Sequence, residues 1–158
     1  MHPRAEEFKR TAKAEYGFDV DVKEFPEGTK TAADAAEAVG CSVEQIASGI
    51  VLSTGDGLVV SITSGANRVS MAKIASLVDA DESDVSMAEA DAIKGALGWS
   101  IGGVPPFCHD TDVPVYMDET LAEFETVWAA AGTPTAVFPI DPRTLSELAG
   151  APLTDVRE

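Results

Sequence analysis

Hydrophobic and polar positions follow two periods along this chain, one typical of helices and one typical of strands. Near the start, Ala5, Phe8, Ala12 and Tyr16 recur at helical spacing with charged residues between them. This spacing puts the four side chains on one face of a helix. We therefore predict an amphipathic helix over residues 4–16, with its charged face in solvent.

Further segments carry the signals of short helices. They read TAADAAEAVG, SMAKIASLV, SMAEADAIKGALG, ETLAEF and DPRTLSELAG. Thr31 is a plausible N-cap of the first, and Gly40 ends it. A capping box from Ser86 to Glu89 is predicted to open the third, which stops at Gly98.

Strand signals lie between these helices. FDVDVKEF alternates between apolar and polar residues, and VPVYMD is also typical of a strand. Two hairpins are predicted. In the first, the turn TGDG separates IASGIVLS from GLVVSITS, and in the second, the turn Gly132-Thr133-Pro134 separates TVWAAAG from TAVFPI. Strands and helices mix without strict βαβ alternation. The prediction is a single α+β domain over residues 1–158, with a curved, mostly antiparallel mixed sheet and helices around it.

Length and composition are those of one ordinary globular domain. The chain has 158 residues, of which 45% are hydrophobic, enough for one sizeable core. It contains neither a membrane-spanning apolar run nor the apolar centre of a signal peptide. We therefore expect a soluble, cytoplasmic protein whose two cysteines, Cys41 and Cys108, stay reduced.

Charge is the strongest compositional signal. The 27 acidic residues against 11 basic ones give a net charge of −16. The chain is too regularly patterned for an acidic disordered tail, which leaves an ordinary acidic protein or one from a salt-loaded cytosol. The many short side chains favour the halophilic interpretation. Nucleic acid is a poor partner at low salt, but at about 1 M salt the Debye length is only about 3 Å and this objection largely disappears.

Few residues offer side-chain chemistry. Cys108 and His109 are adjacent, which suits neither a catalytic dyad nor a shared metal, and a small buried thiol beside an exposed imidazole is the simpler interpretation. No phosphate loop, dinucleotide fingerprint or zinc pattern occurs. The sequence therefore predicts neither a metal nor a cofactor.

The segment WSIGGVPPFCHD, residues 99–110, stands out because its glycines and prolines cannot form a helix and make a poor central strand. Gly102 and Gly103 allow conformations that other residues refuse and leave their N–H groups accessible. Two N–H groups aimed at one point would stabilise an oxyanion. A rigid turn is the alternative that spacing alone favours.

The order of the segments adds a resemblance. Five segments follow one another along the chain: TAADAAEAVGCSVEQIASGIVL, ITSGANRVSMAKIASLV, GWSIGGVPPFCH, VPVYMDETL and TLSELAG. In this order they resemble the YbaK/EbsC family, and the resemblance covers roughly residues 28–150. These proteins are stand-alone relatives of the editing domain inserted in bacterial prolyl-tRNA synthetases. The resemblance implies a barrel-like α+β fold and hydrolysis of the ester of tRNA mischarged with Cys, Ala or Pro. Its partner would be the acceptor end of aminoacyl-tRNA, bound by a monomer or a homodimer.

The resemblance also implies roles for particular residues. The family's G-x-x-x-P loop near the ester carbonyl is matched from Gly102 to Pro106, so Gly102 and Gly103 would supply backbone donors and Pro106 would fix the loop. Family mechanisms use backbone groups and the substrate's own ribose hydroxyl, without a protein nucleophile. By the same match, eight residues come near the pocket: Lys30, Thr31, Ser48, Thr63, Gly65, Lys73, His109 and Val137. Each could equally be a cap, a turn or a surface residue.

Three departures from the family pattern open an alternative function. Ser48 stands where active members carry a lysine in a QIxKxLV strand, Val137 replaces a frequent polar or acidic residue, and Pro105 replaces the serine of a GGxSP loop. Losing the lysine removes a cation for the acceptor end. The alternative to a deacylase is therefore a tRNA-binding or aminoacyl-binding module that has lost turnover. In the deacylase, Ser48 would contact the acceptor end and Val137 would help select a small side chain.

Overall fold

The structure, a computed structural model, describes residues 1–25 and 31–158. In these parts of the chain, helices and strands form one α+β domain around a mixed sheet. The α-helices are α1 Pro3–Tyr16, α2 Ala32–Val39, α3 Met71–Leu77, α4 Ala90–Leu97 and α5 Pro142–Ala149. None of them has the length and apolar character needed to cross a membrane.

Capping explains where these helices begin, with one correction. Thr31 caps α2 as predicted, because its hydroxyl accepts from the Asp34 N–H at 3.1 Å and the Asp34 carboxylate accepts from the Thr31 N–H. The capping box from Ser86 to Glu89 is wrong. Ser86 and Met87 form a short strand, and α4 begins after Glu89. Sheet pairing of this segment replaces the local cap.

Eight strands make up the sheet of the described residues. They are β1 Lys23–Glu24, β2 Ile46–Ser53, β3 Leu58–Ser64, β4 Ser86–Met87, β5 Val115–Asp118, β6 Val127–Ala130, β7 Ala136–Ile140 and β8 Leu153–Thr154. Both predicted hairpins are confirmed, as antiparallel pairs of β2 with β3 and of β6 with β7. FDVDVKEF contributes only the two residues of β1.

The sheet is mixed and mostly antiparallel, as predicted, but the sequence does not show which strands pair in parallel. Its order is β1-β7-β6-β2-β3-β5-β8, with β4 paired to β2. The pairs β2 with β6, β3 with β5, and β5 with β8 are parallel. Parallel pairing joins the two hairpins side by side, so β2 lies at the centre with β3 and β6 as neighbours.

An aromatic cluster attaches α1 to this sheet. Phe8 is fully buried, and its ring centroid lies 5.4 Å from that of Phe107 and 5.2 Å from that of Phe138. Trp99 packs edge-on against Phe8, and the Arg4 guanidinium stacks over the Trp99 ring at 4.1 Å. Trp99 before the GGVPPF segment and Phe107 at its end are thus part of the core, which holds the loop at both ends.

The loop also packs directly on the β6–β7 hairpin. A Cβ added to Gly103 would lie 2.6 Å from the Thr133 carbonyl carbon and 2.9 Å from the Pro134 nitrogen. These neighbours are backbone atoms, which cannot turn aside as a flexible side chain can. Gly103 is therefore required for close backbone packing rather than for an unusual backbone angle.

A second close approach joins the loop to the central strand. A Cβ at Gly49 of β2 would lie 2.9 Å from the carbonyl oxygen of Val104. The missing side chain lets the loop sit directly on the sheet. The loop is consequently wedged between β2 and the turn of the β6–β7 hairpin.

His109 ties the end of the loop back onto itself. Its Nε2 lies 2.7 Å from the Pro105 carbonyl oxygen, and because a carbonyl can only accept, the Nε2–H must donate. Burial lowers the pKa of His109, an effect that the Pro105 carbonyl and the Asp110 and Asp112 carboxylates only partly oppose. The imidazole is half-buried, not exposed as the sequence suggests.

We predict that Gly103→Ala lowers the free energy of unfolding by about 2–3 kcal/mol, because the new methyl group must displace backbone. Gly95→Ala is the matched control, since nothing lies within 4 Å of its Cβ position in α4. That change should be neutral or stabilising by up to about 1 kcal/mol. Urea unfolding of both variants in molar KCl measures the difference. A Gly103→Ala protein as stable as the wild type would contradict the packing of the loop.

The lowered pKa of His109 predicts a pH dependence of stability. In the unfolded chain, His109 has the ordinary pKa of about 6.5 and binds a proton more readily than in the folded protein. The contribution of His109 to stability is therefore complete above that pH. It is lost progressively as the pH falls from 6.5 towards the lower pKa of the folded state. Between pH 7 and 5.5 this loss should reach as much as about 1 kcal/mol. His109→Gln should remove this slope, whereas His2→Gln should keep it. Identical slopes in the wild type and His109→Gln would contradict this assignment.

Candidate functional site

A cavity of about 260 Å³ opens between the central strand, the glycine-proline loop and the β6–β7 hairpin. Its walls are mostly small or apolar. The lining residues from the loop and the hairpin are Ile101, Gly102, Val104, Trp128, Ala130, Thr133, Pro134, Ala136 and Val137. The remaining wall consists of α2 with Thr31, the whole run of β2 from Ile46 to Val51, and Met87 and Ile93.

Four of the residues predicted for the site line this cavity. Thr31 comes from the start of α2, Ser48 from the middle of β2, Gly102 from the loop and Val137 from β7. The four are far apart in the sequence and meet because β2 pairs with β6, and β6 with β7. The cavity therefore depends on the parallel pair of β2 with β6, a partnership that the sequence did not identify.

Thr63 and Gly65 lie in a second, adjoining groove on the other side of Ser48. Thr63 is buried, and its hydroxyl lies 2.9 Å from that of Ser61. A Cβ at Gly65 would lie 2.7 Å from the Cβ of Ala32, so this glycine lets α2 approach β3. Both residues have packing roles that account for their presence.

The remaining predicted residues do not line the cavity. Gly103 and Pro106 are buried residues of the loop, and His109 Nε2 bonds to the Pro105 carbonyl. Lys73 Nζ bonds to the Asp155 carboxylate at 2.8 Å and to the Arg157 carbonyl. Lys30 lies outside the described residues. The structure thus separates residues that the sequence treats as one group.

The loop's N–H groups differ in their availability. The Gly103 N–H donates to the Ser100 carbonyl at 3.0 Å and is used within the turn. Gly102 holds φ +85°, which glycine adopts at little cost. Among the described residues, no hydrogen bond uses the N–H of Gly102 or of Val104. The donors left for a ligand are therefore Gly102 and Val104, not the adjacent pair that the sequence suggests.

Two hydroxyl groups add hydrogen-bonding capacity to the same space. The Ser48 hydroxyl makes no hydrogen bond within residues 1–25 and 31–158. The Thr31 hydroxyl accepts from the Asp34 N–H and keeps its own proton to donate. The cavity lining thus combines neutral hydrogen-bond donors with apolar side chains, which suits a small uncharged group such as an ester.

None of the described residues that line the cavity carries an ionisable side chain. Cys108 lies outside it, and burial together with Glu15 raises the pKa of its thiol to about 12. A thiol with this pKa remains protonated at neutral pH and is a poor nucleophile. In the described parts of the chain, no three His, Cys, Asp or Glu side chains converge as a metal site would require.

Sequence reasoning missed the hairpin turn and the central glycine. Thr133 and Pro134 form one wall of the cavity and also support Gly103, and Gly49 admits the loop. A glycine in the middle of an apolar strand is the signal that could have located this close approach. The segment Gly132-Thr133-Pro134 is predicted only as a turn. No local pattern relates this turn to the loop at Gly103, about thirty residues earlier.

Comparisons with known proteins agree on the family. The profile of the aminoacyl-tRNA editing domain matches residues 26–148. A solved structure proposed to be a trans-editing enzyme for prolyl-tRNA synthetase is 35% identical, superposes with a TM-score of 0.93, and the match covers 100% of this chain and 99% of that one. The uncharacterized protein YwhH of Bacillus subtilis (strain 168) is 29% identical over 139 residues, 87% of each chain.

A more distant structure shows the fold alone. The hypothetical protein APE2540 is 24% identical and superposes with a TM-score of 0.82, and the match covers 98% of this chain and 99% of that one. The resemblance inferred from the ordered segments around GGVPPF is therefore confirmed. The mixed sheet, the wedged loop and the match over residues 26–148 lead to one conclusion: this chain belongs to the aminoacyl-tRNA editing domain family.

Proposed function

We propose that this protein hydrolyses the ester of tRNA mischarged with a small amino acid, namely cysteine, alanine or proline. The observation that carries the proposal is a small apolar cavity with unused backbone donors at the Gly102 loop. An aminoacyl side chain fits the apolar centre, and the ester carbonyl fits the donors. The related protein proposed as a trans-editing enzyme supports the same reaction class.

The chemistry follows from what the cavity contains. Water attacks the ester carbonyl carbon, a new carbon–oxygen bond forms, and the Gly102 and Val104 N–H groups stabilise the oxyanion. The bond to the ribose oxygen then breaks, and that oxygen leaves with the proton lost by the water. Because no described lining side chain can act as a base, the neighbouring ribose hydroxyl of the substrate relays the proton.

Ser48 favours a second candidate, a binding module without turnover. A serine hydroxyl can donate one hydrogen bond to the acceptor end but supplies no charge. Release of amino acid distinguishes the two. A protein that binds tRNA and releases nothing is a binding module.

The test is a panel of tRNAs charged with alanine, cysteine or proline, incubated with the protein in molar KCl. We expect one ester to be released faster than in the absence of protein. Gly102→Ala should slow this release by about 10²-fold, because a Cβ at positive φ is strained and its relief turns the N–H away.

Gly17→Ala is the matched control, since Gly17 holds φ +66° with nothing within 4 Å of its Cβ position. Both variants carry the same kind of backbone strain, so a thermal melt should show similar losses of stability. Only Gly102→Ala should lose activity. If both variants release the amino acid equally fast, the loop does not stabilise the oxyanion.

Val137 is proposed to limit the size of the amino acid. It is 7% exposed and lines the cavity from β7. Val137→Ala should raise kcat/KM for a larger aminoacyl ester, such as valyl-tRNA, relative to alanyl-tRNA by about tenfold, the effect of one or two methyl groups in an apolar pocket. Val85→Ala, equally exposed but packed in a separate core cluster, should leave the ratio unchanged. An unchanged ratio in Val137→Ala would show that other residues set the size limit.

A further inference from the structure

The second groove adjoins the cavity, and the two share part of their lining. It has a volume of about 520 Å³ and shares Ala32, Ser48, Ile50 and Met87 with the cavity. Gly102, Thr133 and Pro134 line the cavity but not the groove. A substrate whose ester lies at Gly102 can therefore extend past Ser48 and leave the cavity through this groove.

Arg68 is the cation of this groove. Its side chain is exposed, and it is the sole Lys or Arg among the described residues that line either space. No ion pair or side-chain hydrogen bond within the described residues uses its guanidinium. By contrast, Lys73 pairs with Asp155, and the Arg157 guanidinium donates to the Thr120 hydroxyl. Arg68 is thus available for an anion that enters from outside.

A buried carboxylate holds the turn before Arg68. Asp118 has no exposed surface, and its Oδ2 accepts from the Ser64 N–H at 3.1 Å and from the Asn67 side-chain amide at 2.9 Å. Its Oδ1 accepts from the Thr120 N–H. Charge-assisted hydrogen bonds from Asp118 therefore stabilise the turn between β3 and Arg68.

The C-terminal residues hold the other side of the same segment. The Glu158 N–H donates to the Arg68 carbonyl at 2.8 Å, and Val69 pairs with Arg157 in an antiparallel bridge. The backbone at Arg68 is thus fixed on both sides while its side chain stays free. A fixed backbone reduces the entropy that an arginine loses on binding.

The groove also presents an apolar surface beside this cation. Ile50, Met71 and Met87 line it, and Met87 is 53% exposed. Exposed apolar side chains next to a guanidinium suit a ligand that has both a flat apolar part and a phosphate. A single-stranded nucleotide has this combination, because its base packs on side chains while its backbone contacts a cation.

We propose that this groove binds the nucleotide that precedes the terminal adenosine of tRNA, with Arg68 on the phosphate that joins the two. This inference rests on the proposed function, because it places the terminal ribose in the cavity. Arg68 is then a substrate-binding residue that supplies the charge absent at Ser48. Molar salt screens the long-range repulsion of a chain with net charge −16, whereas a contact pair persists inside a Debye length of about 3 Å.

Glu158 allows a second test, in which the affinity for tRNA should change in the opposite direction. Glu158 also lines the groove, and its negative charge would repel a phosphate bound there. Arg68→Gln and Glu158→Gln should consequently change the affinity in opposite directions. Arg143→Gln is the charge-matched control, because Arg143 is exposed on α5 and lines neither space.

The binding test uses uncharged tRNA with a fluorescent label, titrated over a range of KCl concentrations. Arg68→Gln should weaken binding about tenfold, the effect of one charge-assisted hydrogen bond. The slope of log K against log [KCl] should fall by about 0.7, the value for one phosphate contact on a single strand. Glu158→Gln should bind more tightly, and Arg143→Gln like the wild type. An Arg68→Gln protein with wild-type affinity and slope would overturn the subsite.

A kinetic comparison separates this inference from the proposed function. Arg68→Gln should lower kcat/KM about tenfold on mischarged tRNA and leave it unchanged on the aminoacyl ester of adenosine, which has no phosphate. Equal losses on both substrates would overturn the phosphate contact. If the wild type releases no amino acid but Arg68→Gln still weakens tRNA binding with the reduced slope, the hydrolase proposal fails and the subsite stands.

Discussion

Backbone-to-backbone packing of the glycine-proline loop is the constraint on which the rest of the site depends. Gly103 lies against Thr133 and Pro134, and Gly49 accepts the Val104 carbonyl. Side chains at either glycine would push apart the three elements that enclose the cavity. Close packing of this kind tolerates little displacement, since protein interiors are as dense as organic crystals.

This constraint also explains how a site can form although none of its described lining residues is ionisable. The loop residues Gly102 and Val104, whose N–H groups make no hydrogen bond within the described residues, line a cavity that is otherwise apolar or hydroxylic in its described parts. Donors fixed by packing need little reorganisation when charge develops on a substrate oxygen. The charged side chains of the described residues lie outside the cavity.

Local signals predicted local structure well where no distant strand competed. Thr31 caps α2 because its partner Asp34 is three residues away, and both hairpins form around their own turns. Ser86 failed as a cap because β2, more than thirty residues earlier, pairs with that segment. The sequence did not show which strands pair in parallel for the same reason. The residue pattern within a strand does not identify the strand beside which it lies.

The sequence by itself determined the helices, the hairpins, the α+β class and the family, because periodicity, caps and ordered motifs are carried by neighbouring residues. Only the tertiary structure decided which candidates share a cavity. It placed Thr31, Ser48, Gly102 and Val137 together and committed the Gly103 N–H to Ser100. The physical reason is that a site of this kind is made by contacts between distant backbone segments, which spacing along one chain does not encode.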